Sequence, residues 1–234
     1  MNGNTFISTA ETLIIQPGQQ LRLNNDNAQP PQYYTLTNNG AIILNTGNSG
    51  VVSASINTYG SSPNYPNSLS NPSGTITCNS GTNLLLNNGM INGGTINING
   101  GYIWSTIGNF INNNGIININ KGSFNFSGLF SNIGPFGTIN NEGNIIIGTV
   151  AYNGSSDAAN AGTLINQNGG TITNQKGGII TIGALAGPPP SGVACNGTFI
   201  NQSGGTVTNN GTITKVPGFS TFTNDGTYYG FPPV

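Results

Sequence analysis

The chain has 234 residues, a net charge of −1 from 4 basic and 5 acidic side chains, no His, 37 Gly and only 4% charged residues. Binding to nucleic acid or to an anionic membrane surface requires clustered Lys and Arg, so nucleic acid is excluded as a partner. Membrane insertion is excluded as well, because pieces such as Leu84-Leu85-Leu86 and Ile145-Ile146-Ile147 fall far short of the roughly 18 apolar residues of a spanning helix. Disordered chains combine high charge with few β-branched residues, whereas Ile, Val and Thr recur here at short intervals, which predicts a folded chain.

The first residues, MNGNTFISTAETLIIQPG, lack the basic and apolar regions of a secretory signal peptide. Phe6, Ile7, Leu13, Ile14, Ile15, Leu21 and Leu23 give residues 1–30 enough apolar surface to fold as an N-terminal cap. From 31 to 226 one phrase recurs: an apolar residue or Thr, then Asn, then a short polar turn closed by Gly. It appears as TLTNNG, INTYG, LLLNNG, FINNNG, TINNEG, LINQNGG, FINQSGG and TFTNDG. Its marker residues Asn38, Asn57, Asn87, Asn112, Asn140, Asn166, Asn201 and Asn224 are 19 to 35 positions apart, with a mean of 26.6.

A period near 26 with Gly every few residues excludes helical repeats, since each Gly would cost about 1 kcal/mol inside a helix. The local pattern has period two: in GTITN, Thr171 and Thr173 point one way and Ile172 the other. These features predict an all-β parallel solenoid with about 26 residues and three short strands per coil. Asn and Gly tolerate the left-handed backbone that sharp corners demand. Coils stacked about 4.8 Å apart would set the marker Asn residues above one another as a hydrogen-bonded ladder, in a rod roughly 35 to 40 Å long. The Pro-rich stretches 61–74 and 184–192 cannot contribute to a sheet ladder and are expected to leave the rod as loops. Residues 227–234 form an aromatic tail, and Phe219, Phe222, Tyr228, Tyr229 and Phe231 offer either a cap or an assembly surface.

The phrases GTINNEG and ETLIIQPGQQLRL, with turns like GTITNNG, resemble the Asn/Gly-rich repeats of filamentous-haemagglutinin-like adhesins. They are also similar to Asn-rich repeat proteins of giant viruses. The resemblance spans roughly residues 11 to 226 and implies a right-handed parallel β-helix at a cell, extracellular or virion surface.

Catalytic chemistry finds little to work with. Serine nucleophiles lack a His partner. Glycoside hydrolysis needs two carboxylates about 5 to 9.5 Å apart, and Glu142 and Asp225, in matching turns, would be three rungs or about 14 Å apart. Cys78 and Cys195 show no metal-ligand spacing and read as a single disulfide or two buried thiols, with buried thiols favoured. No enzyme, no metal and no cofactor is expected. Asn125, Asn153, Asn196 and Asn210 begin sequons and are glycan acceptors on an exported chain.

The expectation is therefore a structural surface protein that polymerises with itself through its ends and exposed strands. Its alternative is a module whose outward Thr pairs, Thr75 with Thr77, Thr171 with Thr173, Thr206 with Thr208 and Thr212 with Thr214, bind surface glycans or ice.

Overall fold

The computed structural model describes residues 5–25, 32–33, 35–46, 54–58, 69–86, 89–105, 109–150, 159–186 and 193–234. Among them the chain is all strand and turn, wound as a parallel β-solenoid with three strand-bearing faces. The first face is a nine-stranded sheet that starts with Thr5–Ile7, Leu36–Asn38 and Leu69–Asn71 and ends with Gly197–Asn201 and Ser220–Asn224. The second face begins with Thr12–Ile15 and Ala41–Leu44 and ends with Thr206–Asn209 and Thr227–Gly230. The third runs from Gln20–Arg22 through Ser55–Thr58 and Asn83–Leu86 to Ile179–Ile182 and Thr212–Lys215. In the fourth and fifth coils, the long strands Thr95–Ser105 and Ile116–Phe126 turn from the second face onto the third without a break, which joins those two faces into one sheet.

Alternation within each strand builds the core. Strand Thr171–Asn174 buries Ile172 and Asn174 and turns Thr173 outward. Each inward residue stacks on its counterpart one coil away, as Ile139 does with Ile172 and Ile172 with Val207. Phe110, Phe124, Phe126 and Phe130 fill the middle of the rod, with ring centroids 4.9 to 5.7 Å apart.

In the expected N-terminal cap, residues 1–30, the described part up to Arg22 is a coil of the rod. Thr5–Ile7, Thr12–Ile15 and Gln20–Arg22 are the three strands of a regular first coil, paired in parallel with the second. The aromatic tail is likewise a coil: Thr227–Gly230 extends the second face, and Val234 exchanges backbone hydrogen bonds with Ile213 and Lys215 of the third. The loop expected over 61–74 ends before Leu69–Asn71, which is a strand; residues 61–68 lie outside the described part. In the loop expected over 184–192, Ala184–Ala186 pairs antiparallel with Val193–Cys195, and 187–192 lie outside the described part. Thr149–Val150 with Ala159–Asn160 and Asn24–Asn25 with Gln32–Tyr33 form two more antiparallel pairs. All three leave the rod at one corner, where the third face passes to the first face of the next coil.

At the opposite end of the first face, Asn side chains form a ladder that is buried at 0% exposure from Asn38 to Asn201 and ends at the exposed Asn224. It runs Asn38, Asn71, Asn92, Asn112, Asn132, Asn166, Asn201, Asn224, each Nδ2 donating to the next Oδ1 at 2.7 to 2.8 Å. The steps of 20 to 23 residues mark uninterrupted coils and those of 33 to 35 coils with insertions, so the mean of 26.6 mixes two populations. A second buried ladder, Asn141 to Asn174 to Asn209, turns the corner from the second face to the third.

Both ladders begin above an apolar residue. Ile7 is the register partner of Asn38 and Ile119 of Asn141, so the buried Oδ1 atoms of Asn38 and Asn141 receive no hydrogen bond.

The inward carboxamide also explains the closing Gly of the recurring phrase. A Cβ on Gly170 would lie 2.7 Å from both Asn132 O and Asn166 Oδ1, and one on Gly205 would lie 2.5 Å from Asn201 Oδ1. Neither Gly has positive φ. Space beside the ladder fixes Gly at these corners, while left-handed backbone is needed at neighbours such as Asn168 and Gly169.

Replacing Asn132 with Leu strands the Asn166 Oδ1 acceptor and removes a partner of Asn112, so it should cost about 2 to 4 kcal/mol in denaturant unfolding. Asn140→Ala, on an exposed face, should cost less than about 1 kcal/mol. Gly170→Ala is expected to destabilise by about 1 to 3 kcal/mol in the same measurement, because the Cβ overpacks the corner.

Candidate functional site

The three outer faces differ in chemistry. The first carries a column of outward Ile residues, Ile91 and Ile111 in adjacent coils and Ile165 and Ile200 in another adjacent pair. The third bears Tyr102 and Trp104 in edge-on contact at 5.9 Å, with the Tyr102 hydroxyl bonded to the Asn125 carboxamide. The second is ordered in two columns. One reads Thr12, Ala41, Thr75, Thr95, Ile116, Thr138, Thr171, Thr206, Thr227, and the other includes Thr77, Asn97, Asn118, Asn140, Thr173 and Thr208.

The expected Asn column is only partly one column. Asn38, Asn112, Asn166, Asn201 and Asn224 belong to the first-face ladder. Asn57 does not: it lies on the third face, in register with Arg22 and Leu85. Asn140 faces outward on the second face, where its Nδ2 donates to Asn118 and Asn118 donates to Asn97, both at 2.9 Å. Asn87 lies outside the described residues. Sequence reading missed Asn71, Asn92 and Asn132, whose turns NPSG, NGG and NIGPFG vary in length. Their signal was the spacing of 20 or 21 residues around Asn112.

Of the Thr pairs, Thr75 with Thr77, Thr171 with Thr173 and Thr206 with Thr208 share the second face, and intervening coils extend the array with Thr95, Asn97, Thr138 and Asn140. Thr212 and Thr214 are on the third face instead, opposite Ile179 and Thr181. Among the sequons, Asn125 is 8% exposed, Asn196 and Asn210 are exposed, and Asn153 lies outside the described residues.

The carboxylates do not converge. Glu142 sits at the corner from second to third face and Asp225 at the corner from first to second, so they are separated by corner as well as by coil. No group of three or more His, Cys, Asp or Glu able to hold a metal is present among the described residues. Cys78 and Cys195 are buried and not joined in a disulfide, and burial pushes the Cys78 thiol up to about 12.

The ends of the rod stand apart from its middle. Phe219 and Tyr229 are exposed in the last coil, as is Phe231, while Phe222 and Tyr228 are half-buried and in ring contact with each other. Phe222 also packs on Phe199, and the Tyr228 hydroxyl bonds the Phe231 carbonyl. In the first coil, Leu13, Ile14, Ile15, Gln19, Gln20 and Leu21 line an open depression of about 400 Å³.

No protein-family model matches the chain, and no curated protein matches it. Among solved structures it is similar to a TibC-catalysed, hyper-glycosylated fragment of TibA, with 16% sequence identity and a TM-score of 0.27 over 98% of this chain and 100% of that one. A likeness of that degree carries no functional argument.

Burial should keep both thiols from reacting. Ellman's reagent at pH 8 should titrate about none of the two in the folded protein and both after denaturation.

Proposed function

We propose that the chain is a non-enzymatic structural protein of an extracellular, cell or virion surface, the subunit of a fibre in which solenoids stack end to end. The observation that carries this reading is the location of exposed apolar side chains. Among the described residues, ten large hydrophobic side chains are exposed, and six of them lie in the first coil or in residues 219–234: Phe6, Ile14, Phe219, Tyr229, Phe231 and Val234.

Unpaired strand edges invite another chain, and proteins commonly blunt them with charge, Pro or a covering segment. Here the terminal strands of the first and second faces, Thr5–Ile7, Thr12–Ile15, Ser220–Asn224 and Thr227–Gly230, contain no charged residue and no Pro, and only the third side carries such residues, Arg22 at one edge and Pro232 and Pro233 at the other. The two edges lie at opposite ends of the described rod, so joining them is a heterologous contact that propagates rather than closes.

A second reading rests on the second outer face. Its Thr and Asn columns repeat about every 4.8 Å along the rod and about 6.7 Å across it, a flat polar lattice suited to an ordered surface such as ice or a glycan polymer.

Electron microscopy of the purified chain should show rods longer than the roughly 40 Å of a single solenoid. The double variant Ile14→Lys, Tyr229→Lys should remain short, and monomers alone at high concentration of the unaltered chain would sink the fibre reading. For the second reading, thermal hysteresis or glycan-array binding should be present and should fall at least several-fold in Thr138→Lys with Thr171→Lys.

A further inference from the structure

We infer that the junction between subunits is one more rung of the solenoid, with the last coil of one copy pairing in parallel and in register on the first coil of a second copy. This rests on the fibre reading and specifies its partner surface. Register is unbroken along the second face, so each column there has a member at both ends. The outward Thr column begins at Thr12 and ends at Thr227, and the inward column beside it begins at Leu13 and ends at Tyr228. The next outward column begins at Ile14, 45% exposed, and ends at Tyr229, 60% exposed.

The chemistry of the two ends suits that register. Within the rod the inward column is closed to solvent, as at Ile42, Ile76 and Ile172, all at 0% exposure. Leu13 and Tyr228 are only partly buried because each has a neighbour on one side alone. Stacking one on the other supplies the missing neighbour. The first coil presents an open depression lined by Leu13, Ile15 and Leu21, and the last coil bears the rings of Tyr228 and Tyr229. A parallel rung forms only when the last coil of one copy meets the first coil of another, which selects head-to-tail over head-to-head contact.

Polar groups at the junction are already settled. The Asn ladder stops at Asn224, whose Nδ2 donates to Gly226 O at 3.3 Å, and its column in the first coil holds Ile7. The size is sufficient too. An uninterrupted coil of about 20 residues meeting another, with about ten backbone hydrogen bonds, falls in the range of standard stable interfaces.

Two features oppose the contact: Pro232 and Pro233, along the third side of the last coil, have no N–H to donate to a further rung, and like charges meet at one corner. Ala41 N bonds Glu11 O in the first coil and Thr227 N bonds Gly205 O in the last, an alignment that puts Glu11 and Gly226 at equivalent positions. Asp225 of one copy would therefore lie beside Glu11 of the next. These like charges weaken association, and salt screens them.

Cysteine cross-linking tests the register. Thr12 and Thr227 are both exposed, and opposite residues one rung apart fall within the Cα separations a disulfide spans. The double variant Thr12→Cys, Thr227→Cys should give a ladder of covalent multimers under mild oxidation, while each single variant stays uncross-linked. The Asp225→Asn variant should assemble at a several-fold lower concentration in low salt, with the difference shrinking as salt rises. Cross-linking by Thr12→Cys alone would overturn the head-to-tail register. Fibres under the microscope without a covalent ladder, or without an Asp225→Asn effect, would overturn the register and leave the fibre reading standing. Absence of both fibres and ladder would overturn the two together.

Discussion

Parallel, in-register stacking imposes a strict condition: whatever residue occupies a position in one coil meets the corresponding residue of the next coil about 4.8 Å away. Side chains that attract their own kind are rewarded along the whole rod, and those that repel it are penalised at every rung. A carboxamide meets the condition even when buried, because it carries both a donor and an acceptor. A buried carboxylate or ammonium in the same column would face its own charge at each step. This accounts for a composition with 4% charged residues and for a core that accepts seven buried Asn residues on the first-face ladder. It also fits the charges that do occur at successive coils of one corner, Lys121, Glu142 and Lys176, which alternate in sign.

The ladder in turn shapes the corner. Because each inward carboxamide occupies the space beside the turn, a residue without a side chain must follow, and the pairing of Asn with a later Gly is one steric unit. Ladders also have a direction. The two buried ones donate toward the C-terminal end of the rod, whereas on the surface Asn140 donates to Asn118 and Asn118 to Asn97, the opposite way. Each buried ladder must start somewhere, and each starts over an Ile with one carboxamide oxygen unsatisfied, at Asn38 and Asn141.

The coiled repeat and the two-residue alternation were legible in the sequence because stacking writes them into every coil, whereas the coil length of 20 to 23 residues was hidden by the insertions that raise the mean step. Which Asn belongs to which column was less so. The phrase of Asn, short turn and Gly occurs at two corners, around Asn166 to Gly170 and around Asn174 to Gly178, so the local pattern does not distinguish them. TINNEG holds Asn140 on the outer face and Asn141 in the second ladder, one residue and one side of the sheet apart. Insertions at the third corner changed the step between coils and obscured Asn71 and Asn132. The terminal coils were read as a cap and a tail because strands at an edge bury one side poorly and lose the clean alternation of the interior. The Thr array was visible as pairs, but its continuity through Thr95, Asn97, Thr138 and Asn140 depends on register between coils.

An interior coil such as residues 162–196 offers Gly, Thr, an apolar residue, Ile and Asn to the coil below and meets the same series in the coil above. Its neighbours could not tell one such turn from two. The rod is therefore a ruler with interchangeable divisions: adding or deleting a whole coil there changes its length by one strand spacing and leaves both ends, all three faces and the direction of the ladder as they were.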